Sequence, residues 1–224
     1  MISQDDKIKY ESDRGVKGRL LDAAEILFCE HGFEGTSIRD IAASADCNIA
    51  AVNYYFGGKE NLYMDVWRRH LIPMRDDRIA SIEKVMSKKK GKIKLEDLLK
   101  SFADTFVGPL MNADRGSCLS RLMAREYIDR RLPTNIFVDE VMTPTISAMS
   151  GALIKTCPHL DKSKVLMVIF SLVGQLVHLV HIKVMFEQSD EDMDLPAFDL
   201  NEAINHIVKF TGAGIRAYCK GPKQ

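Results

Sequence analysis

Thr36-Ser37-Ile38-Arg39-Asp40-Ile41-Ala42-Ala43-Ser44-Ala45-Asp46-Cys47-Asn48-Ile49-Ala50-Ala51-Val52-Asn53-Tyr54-Tyr55-Phe56-Gly57-Gly58-Lys59 decides how this chain is read. Behind Ser37, the residues Ile38, Ile41, Ala42 and Ala45 recur at helical spacing, with Asp40 three residues on as an imperfect capping box. Asn48 can cap a second short helix through Tyr55, and Gly57-Gly58 ends it before another helix begins near Lys59. Two short helices joined by a tight turn suit a reader of the DNA major groove, because side chains from the second must reach base edges. Val52 and Phe56 face the core of such a unit, which leaves Asn48, Ala50, Ala51, Asn53, Tyr54 and Tyr55 to be shared between surface and DNA.

On the N-terminal side, Val16, Leu20, Ala23, Ala24, Leu27 and Phe28 form one apolar stripe of a helix that stops at Gly32. Met1 to Asp13 is polar, mixed in charge and without an apolar core for a secretory signal, so it reads as a flexible arm. On the C-terminal side a linking helix runs from Lys59 to about Ile72, broken or kinked at Pro73 and continuing toward Ser87. Further helices are predicted over Leu95–Met111, Cys118–Arg131, Asn135–Lys155, Lys162–Glu187 and Leu200–Tyr218. The basic Lys88-Lys89-Lys90-Gly91-Lys92 hinge, Leu132-Pro133, Cys157-Pro158 and the acidic Ser189–Pro196 loop separate them. The fold class is all-α, with roughly nine helices, since apolar residues recur at three and four with no alternating strand pattern. Residues 1–13 are then an arm, 14–60 a helix-turn-helix head and 61–224 a helical bundle.

Composition narrows the function classes. Lysine plus arginine and aspartate plus glutamate both number 31, so no global charge pulls the chain toward nucleic acid, and any useful charge must be local. Cys29, Cys47, Cys118, Cys157 and Cys219 are odd in number and contain no C-x-x-C pair, which argues against a disulfide framework or a structural zinc and fits a reducing cytoplasm. Val165–Phe186 is long and apolar enough to test as a membrane span, but Gln175, His178, His181 and Lys183 interrupt it and favour a helix buried among protein neighbours.

Thr36-Ser37-Ile38-Arg39-Asp40-Ile41-Ala42, followed by Ala51-Val52-Asn53-Tyr54-Tyr55-Phe56-Gly57-Gly58-Lys59-Glu60-Asn61-Leu62-Tyr63, resembles the signature of the TetR/AcrR regulators over about residues 16 to 63. The resemblance implies phosphate contacts from Thr36, Ser37, Tyr55 and Lys59. It also implies that Arg39, Ala50, Ala51, Asn53 and Tyr54 lie near the bases, with Asn48 beside them. Asn53 can pair with adenine and Arg39 with guanine or phosphate, alanine methyls can touch thymine methyls, and Lys59 opens a helix whose free N–H groups favour anions. Many members have an aromatic where this chain has Asn53, so operator sequence does not transfer.

For the bundle, the resemblance implies a homodimer paired through the last two helices and a small-molecule effector whose binding shifts the linking helix and releases operator DNA. Repression is the family default. Leu166, Ile169, Phe170, Val173, Leu176, Val177 and Val180 cover more than one face of their helix, as a dimer helix would. Phe102, Phe106, Leu122, Phe137 and Phe170, with Arg125, Glu126, Gln175 and His178 as polar anchors, are the candidate effector residues, Arg125 first among them. Arg121–Asp129 and Gly174-Gln175 are similar to the CecR-like branch, which implies control of transport or efflux genes.

No cofactor is implied. A metal-dependent enzyme around His178 and His181 lacks a third ligand, and no nucleophile elbow or nucleotide loop occurs. Cys47, in the turn of the head, offers a redox-responsive alternative, although Asp46 and Asn48 supply no positive charge to activate its thiol.

Overall fold

The structure is a computed structural model that describes residues 4–88, 93–111, 118–119, 121–123, 125–126, 129–188 and 199–219, with side chains from residue 15 onward and excluding 184–188. The hinge residues 89–92 and the acidic loop fall outside the described residues. Every regular element among those described is a helix: α1 (Gln4–His31), α2 (Ile38–Ser44), α3 (Ala50–Phe56), α4 (Lys59–Met86), α5 (Leu95–Val107) with a 3-10 turn (Gly108–Met111), α6 (Thr134–Phe137), a π turn (Val138–Met142), α7 (Thr143–Thr156), α8 (Lys162–Gln188) and α9 (Leu200–Cys219). Two expectations shift. Gln4–Asp13, read as an arm, is helical and continuous with α1, since no proline or glycine interrupts it before Gly15. Pro73 does not break α4, because it removes only one backbone bond from an otherwise long helix.

The chain divides into two compact units, residues 1–72 with 114–134 and residues 73–113 with 135–224. In the first, α1, α2 and α3 close around Leu20, Ala24, Phe28, Ile41, Val52 and Phe56, with Leu62 and Val66 of α4 and Leu119 and Leu122 also buried. Phe28, Phe33, Tyr63 and Trp67 form an edge-to-face chain with centroids 5.0 to 6.2 Å apart, geometry that adds to simple burial.

In the second unit, α5 buries Leu95, Leu98, Leu99, Phe102, Ala103, Phe106 and Val107 on one face. Against it lies α9, through Ile204, Ile207, Val208, Thr211, Gly212 and Ile215, with α8 beside both and α7 beside α8. Glu96 and Arg216 pair across α5 and α9. Pro144 has no N–H to return to the carbonyl of Glu140, the residue four before it. The chain widens there into the π turn, in which Thr143 N–H donates to Val138 O. Arg75 Nη1 takes the freed Glu140 carbonyl at 2.8 Å.

Candidate nucleic-acid interface

Helix α2 begins in a complete capping box. Ser37 Oγ accepts from Asp40 N–H at 3.1 Å, and the Asp40 carboxylate accepts from Ser37 N–H at 3.2 Å and from the Ser37 hydroxyl at 2.5 Å. These bonds hold the Asp40 carboxyl below the usual carboxylate range. The helix ends with Asp46 in the left-handed region at φ 50°, while Cys47 N–H reaches Ala42 O at 2.9 Å and Asp46 N–H reaches Ala43 O at 3.2 Å. That pair of bonds is the helix-ending pattern glycine usually supplies, and aspartate is among the few other residues that tolerate it. The tight turn therefore follows from local chemistry.

Asn48 Oδ1 accepts from Ala50 N–H at 2.8 Å and so caps α3, as its position predicted, which engages the side chain that was also a DNA candidate. Val52 is fully buried and Phe56 nearly so. The opposite face presents Ala50, Asn53 and Tyr54 to solvent, with Ala51 and Tyr55 half-buried. Tyr54 is 77% exposed, an unusual setting for a large aromatic on a short helix, and its ring meets Tyr55 edge-on at 4.9 Å. Gly57 closes α3 at φ 73°, where a Cβ would be strained, and its N–H donates to Asn53 O at 2.9 Å. Lys59 then opens α4 with its ammonium 4.2 Å from the Phe33 ring centroid, a contact that steers the side chain while leaving it half-exposed. Arg39 is exposed.

Thr36 differs from its expected role. It is 2% exposed, and its hydroxyl donates toward Gly32 O at 2.8 Å and Leu27 O at 3.0 Å, covering the carbonyl end of α1. A phosphate needs a donor, and this proton is already engaged inside the unit.

The bundle candidates lie in several different settings. Arg125, the first choice as a ligand anchor, donates from Nη2 to Glu30 O at 2.9 Å, and a Cβ on Gly32, itself at φ 73°, would meet its Nη1 at 2.7 Å. Glu126 accepts from Tyr63 Oη at 3.1 Å and from Leu132 N–H at 2.6 Å. Burial first, then the Glu126 charge, push the Tyr63 phenol up to about 12. These two residues and buried Leu122 thus tie their segment into the first unit. Gln175 donates to Ser171 O at 3.0 Å and to Thr211 Oγ1 at 3.4 Å, joining α8 to α9. Phe137, Phe170 and His178 are exposed, while Phe102 and Phe106 are buried in the α5 face. The set is divided between the two units, with Leu122, Arg125 and Glu126 in the first and the others in the second. His181 is exposed too, and among the described residues no group of three metal-ligating side chains assembles.

Two features escape the sequence reading. Arg19 donates from Nη2 to Cys47 Sγ at 3.5 Å and from Nε to Ala45 O at 3.0 Å, so the positive charge missing from Cys47's chain neighbours comes from α1. Arg78 is the second: it sits in the buried stripe Met74, Arg78, Ile82, Val85 of α4, a charge at core spacing that the pattern could have flagged.

The helix-turn-helix geometry agrees with comparison to known proteins. Residues 20–66 match the model of bacterial regulatory proteins of the tetR family, and residues 95–215 match the C-terminal domain of the HTH-type transcriptional dual regulator CecR. The chain belongs to the TetR family, with a CecR-type C-terminal domain. It is 52% identical over 48 residues to CecR of Shigella flexneri, covering 21% of each chain. To the "Probable HTH-type transcriptional regulator YttP" of Bacillus subtilis it is 50% identical over 46 residues, 20% of this chain and 22% of that one. The chain thus spans only about a fifth of the length of these relatives. A TetR-family regulator of Mesorhizobium loti superposes with a TM-score of 0.65 at 16% identity over 92% of this chain and 96% of that one, a likeness of fold. Both matched models describe regulatory proteins, and the first spans the helix-turn-helix.

Proposed function

We propose that this TetR-family chain acts as a cytoplasmic homodimer that represses transcription by holding a near-palindromic operator, and that a small molecule bound in its helical bundle releases it. The observation that carries the DNA part is the outward face of α3, where Ala50, Asn53 and 77%-exposed Tyr54 stand beside Lys59 at the start of α4. Ala50 and Ala51 permit close approach to the groove, Asn53 supplies a donor and acceptor in one plane, and Ser37, Tyr55 and Lys59 flank them for phosphates. Arg39 reaches either a base or a phosphate. Thr36 is left out of the contact set because its hydroxyl proton is engaged at the end of α1, and Asn48 contributes through the cap it makes.

Support for the dimer comes from α8 and α9. Leu166, Met167, Phe170 and Val177 on one and Phe210 and Tyr218 on the other are large apolar side chains exposed between 41% and 65%. Lys162–Lys183 is long and apolar enough to cross a membrane, yet its polar breaks and its place beside α5, α7 and α9 favour coverage by a second copy. A two-fold pair presents two heads to half-sites spaced by helical turns of roughly 34–36 Å. Transport or efflux genes are the regulated class that the CecR-type domain suggests.

The test is binding to DNA flanking the chain's own gene, and to a pool selected from random DNA, across a salt series. Asn53→Ala should erode discrimination between operator and random DNA, and Lys59→Ala should lower the salt slope by about 0.9 for each phosphate it no longer neutralises. Absence of any preferred sequence after selection would overturn the reading. A second reading, thiol-dependent control of the head, is favoured by one observation, the Arg19 guanidinium beside Cys47 Sγ.

A further inference from the structure

The cysteines occupy three different settings. Cys29 is 2% exposed and donates to Cys118 O at 3.4 Å, while Cys118 donates to Glu25 O at 3.8 Å. These two thiols also face each other, but both protons are engaged by backbone carbonyls, and burial pushes the Cys118 thiol well above its ordinary range. Cys47 donates to Ala45 O at 3.2 Å beside Arg19. Cys157 and Cys219, both in the second unit, differ: each is half-buried, and a hydrogen bond joins one thiol to the other. Cys157 caps the end of α7, fixed by its own N–H on Leu153 O at 2.8 Å and by its carbonyl, which accepts from Leu160 N–H at 2.9 Å. Cys219 is the last residue of α9, three residues after Arg216. Cys157 and Arg216 line an open cavity of about 680 Å³ together with Val85, Leu95 and Thr156, which gives small solutes a path to the thiol pair.

We infer that Cys157 and Cys219 form a peroxide-responsive dithiol that closes reversibly into an intramolecular disulfide. Burial first, then the neighbouring Cys219 sulfur, raise the Cys157 thiol, so Cys157 keeps its proton and Cys219 supplies the attacking thiolate. The Arg216 guanidinium favours negative charge at the pair. The Cys219 thiolate attacks one oxygen of hydrogen peroxide, the O–O bond breaks, and a sulfenic acid forms as hydroxide leaves. The Cys157 sulfur then displaces the sulfenic hydroxyl, its proton departs with that hydroxyl as water, and the S–S bond forms. Two thiols and one hydrogen peroxide thus give one disulfide and two waters, the sulfurs losing the two electrons that the peroxide oxygens gain. The sulfurs must close from hydrogen-bond distance to about 2.05 Å. Cys219 supplies that movement from a helix end, where α-helices fray, while Cys157 stays fixed by its backbone bonds. The bond ties the end of α7 to the end of α9 and closes the loop 157–219 around α8. In a reducing compartment such a bond is transient and of the sensing kind, since a thiol reductant reopens it by exchange.

The experiment treats the reduced full chain with equimolar hydrogen peroxide and maps the products by mass spectrometry of a non-reducing digest. One new linked peptide pair should appear, joining Cys157 to Cys219, and the free thiols should fall from five to three. The melting temperature should rise by about 4 °C or more, because the bond closes a long loop, and should return on treatment with dithiothreitol. In Cys157→Ser, which lacks the resolving thiol, dimedone should trap a sulfenic acid at Cys219, whereas Cys219→Ser should leave Cys157 unlabelled. Cys47→Ser should form the same linked pair as wild type, which separates this dithiol from thiol control of the head. Five thiols that remain free in excess peroxide would overturn the assignment. So would a Cys29–Cys118 linkage formed in place of this one, or a disulfide between two copies of the chain through Cys219. The wild-type linkage map decides the matter even where a serine variant fails to fold.

Discussion

Thr36→Val separates a capping role from a DNA-contact role at one position. The substitution keeps the size and branching of the side chain and removes only the hydroxyl. In the folded unit that hydroxyl is 2% exposed and shares its proton between Gly32 O at 2.8 Å and Leu27 O at 3.0 Å. One net hydrogen bond contributes about 0.5–1.5 kcal/mol, and leaving a buried carbonyl without a donor adds a similar amount, so stability should fall by about 1–3 kcal/mol. For a chain of this size that corresponds to about 2–4 °C in melting temperature per kcal/mol. Calorimetry reads the stability, and operator titration well below the melting point reads the DNA contact. Stability should fall while operator affinity changes less than about twofold, on the scale where 1.4 kcal/mol is tenfold. An unchanged melting temperature with markedly weaker operator binding would refute the assignment of Thr36 to the end of α1.

Other expectations follow from the same geometry. Phe170→Asp places a charge among the exposed apolar residues of α8 and should leave the chain monomeric by light scattering with its helical circular dichroism intact; a dimer that persists would remove that face from the interface. Glu96 is held below the usual carboxylate range first by its bond to Arg216. A depressed folded value means the pair contributes at neutral pH and ceases to contribute as pH falls through that value, so the stability gap between wild type and Arg216→Ala should be present at neutrality and close in strong acid. A gap that stays constant across this range would contradict the pairing. If the Arg19 contact governs Cys47 reactivity, mild peroxide should reduce operator binding by wild type and spare Cys47→Ser, while equal behaviour of the two would dispose of thiol control.

Much is legible along the chain because its causes are local. The capping box at Ser37, the cap at Asn48, the glycine at 57 and the three-and-four spacing of Leu20, Phe28, Ile41, Val52 and Phe56 all depend on residues within a turn or two, and they specify the helices, the head and the family. Side-chain partners distant in sequence are not legible. Arg125 and Glu126 read as pocket residues until the fold sets them on Glu30 O and Tyr63, 95 and 63 residues away, and Arg19 meets Cys47 only through packing of α1 on the turn. Thr36 and Ser37 look alike in sequence, yet one turns inward and the other outward. Arg78 shows the division most plainly: its place in an apolar stripe is there to be read, but its stacking on the Phe106 ring of α5 comes only from packing. Local sequence determines which segments are helical and how they end, whereas only the tertiary structure decides which distant partners satisfy the polar groups.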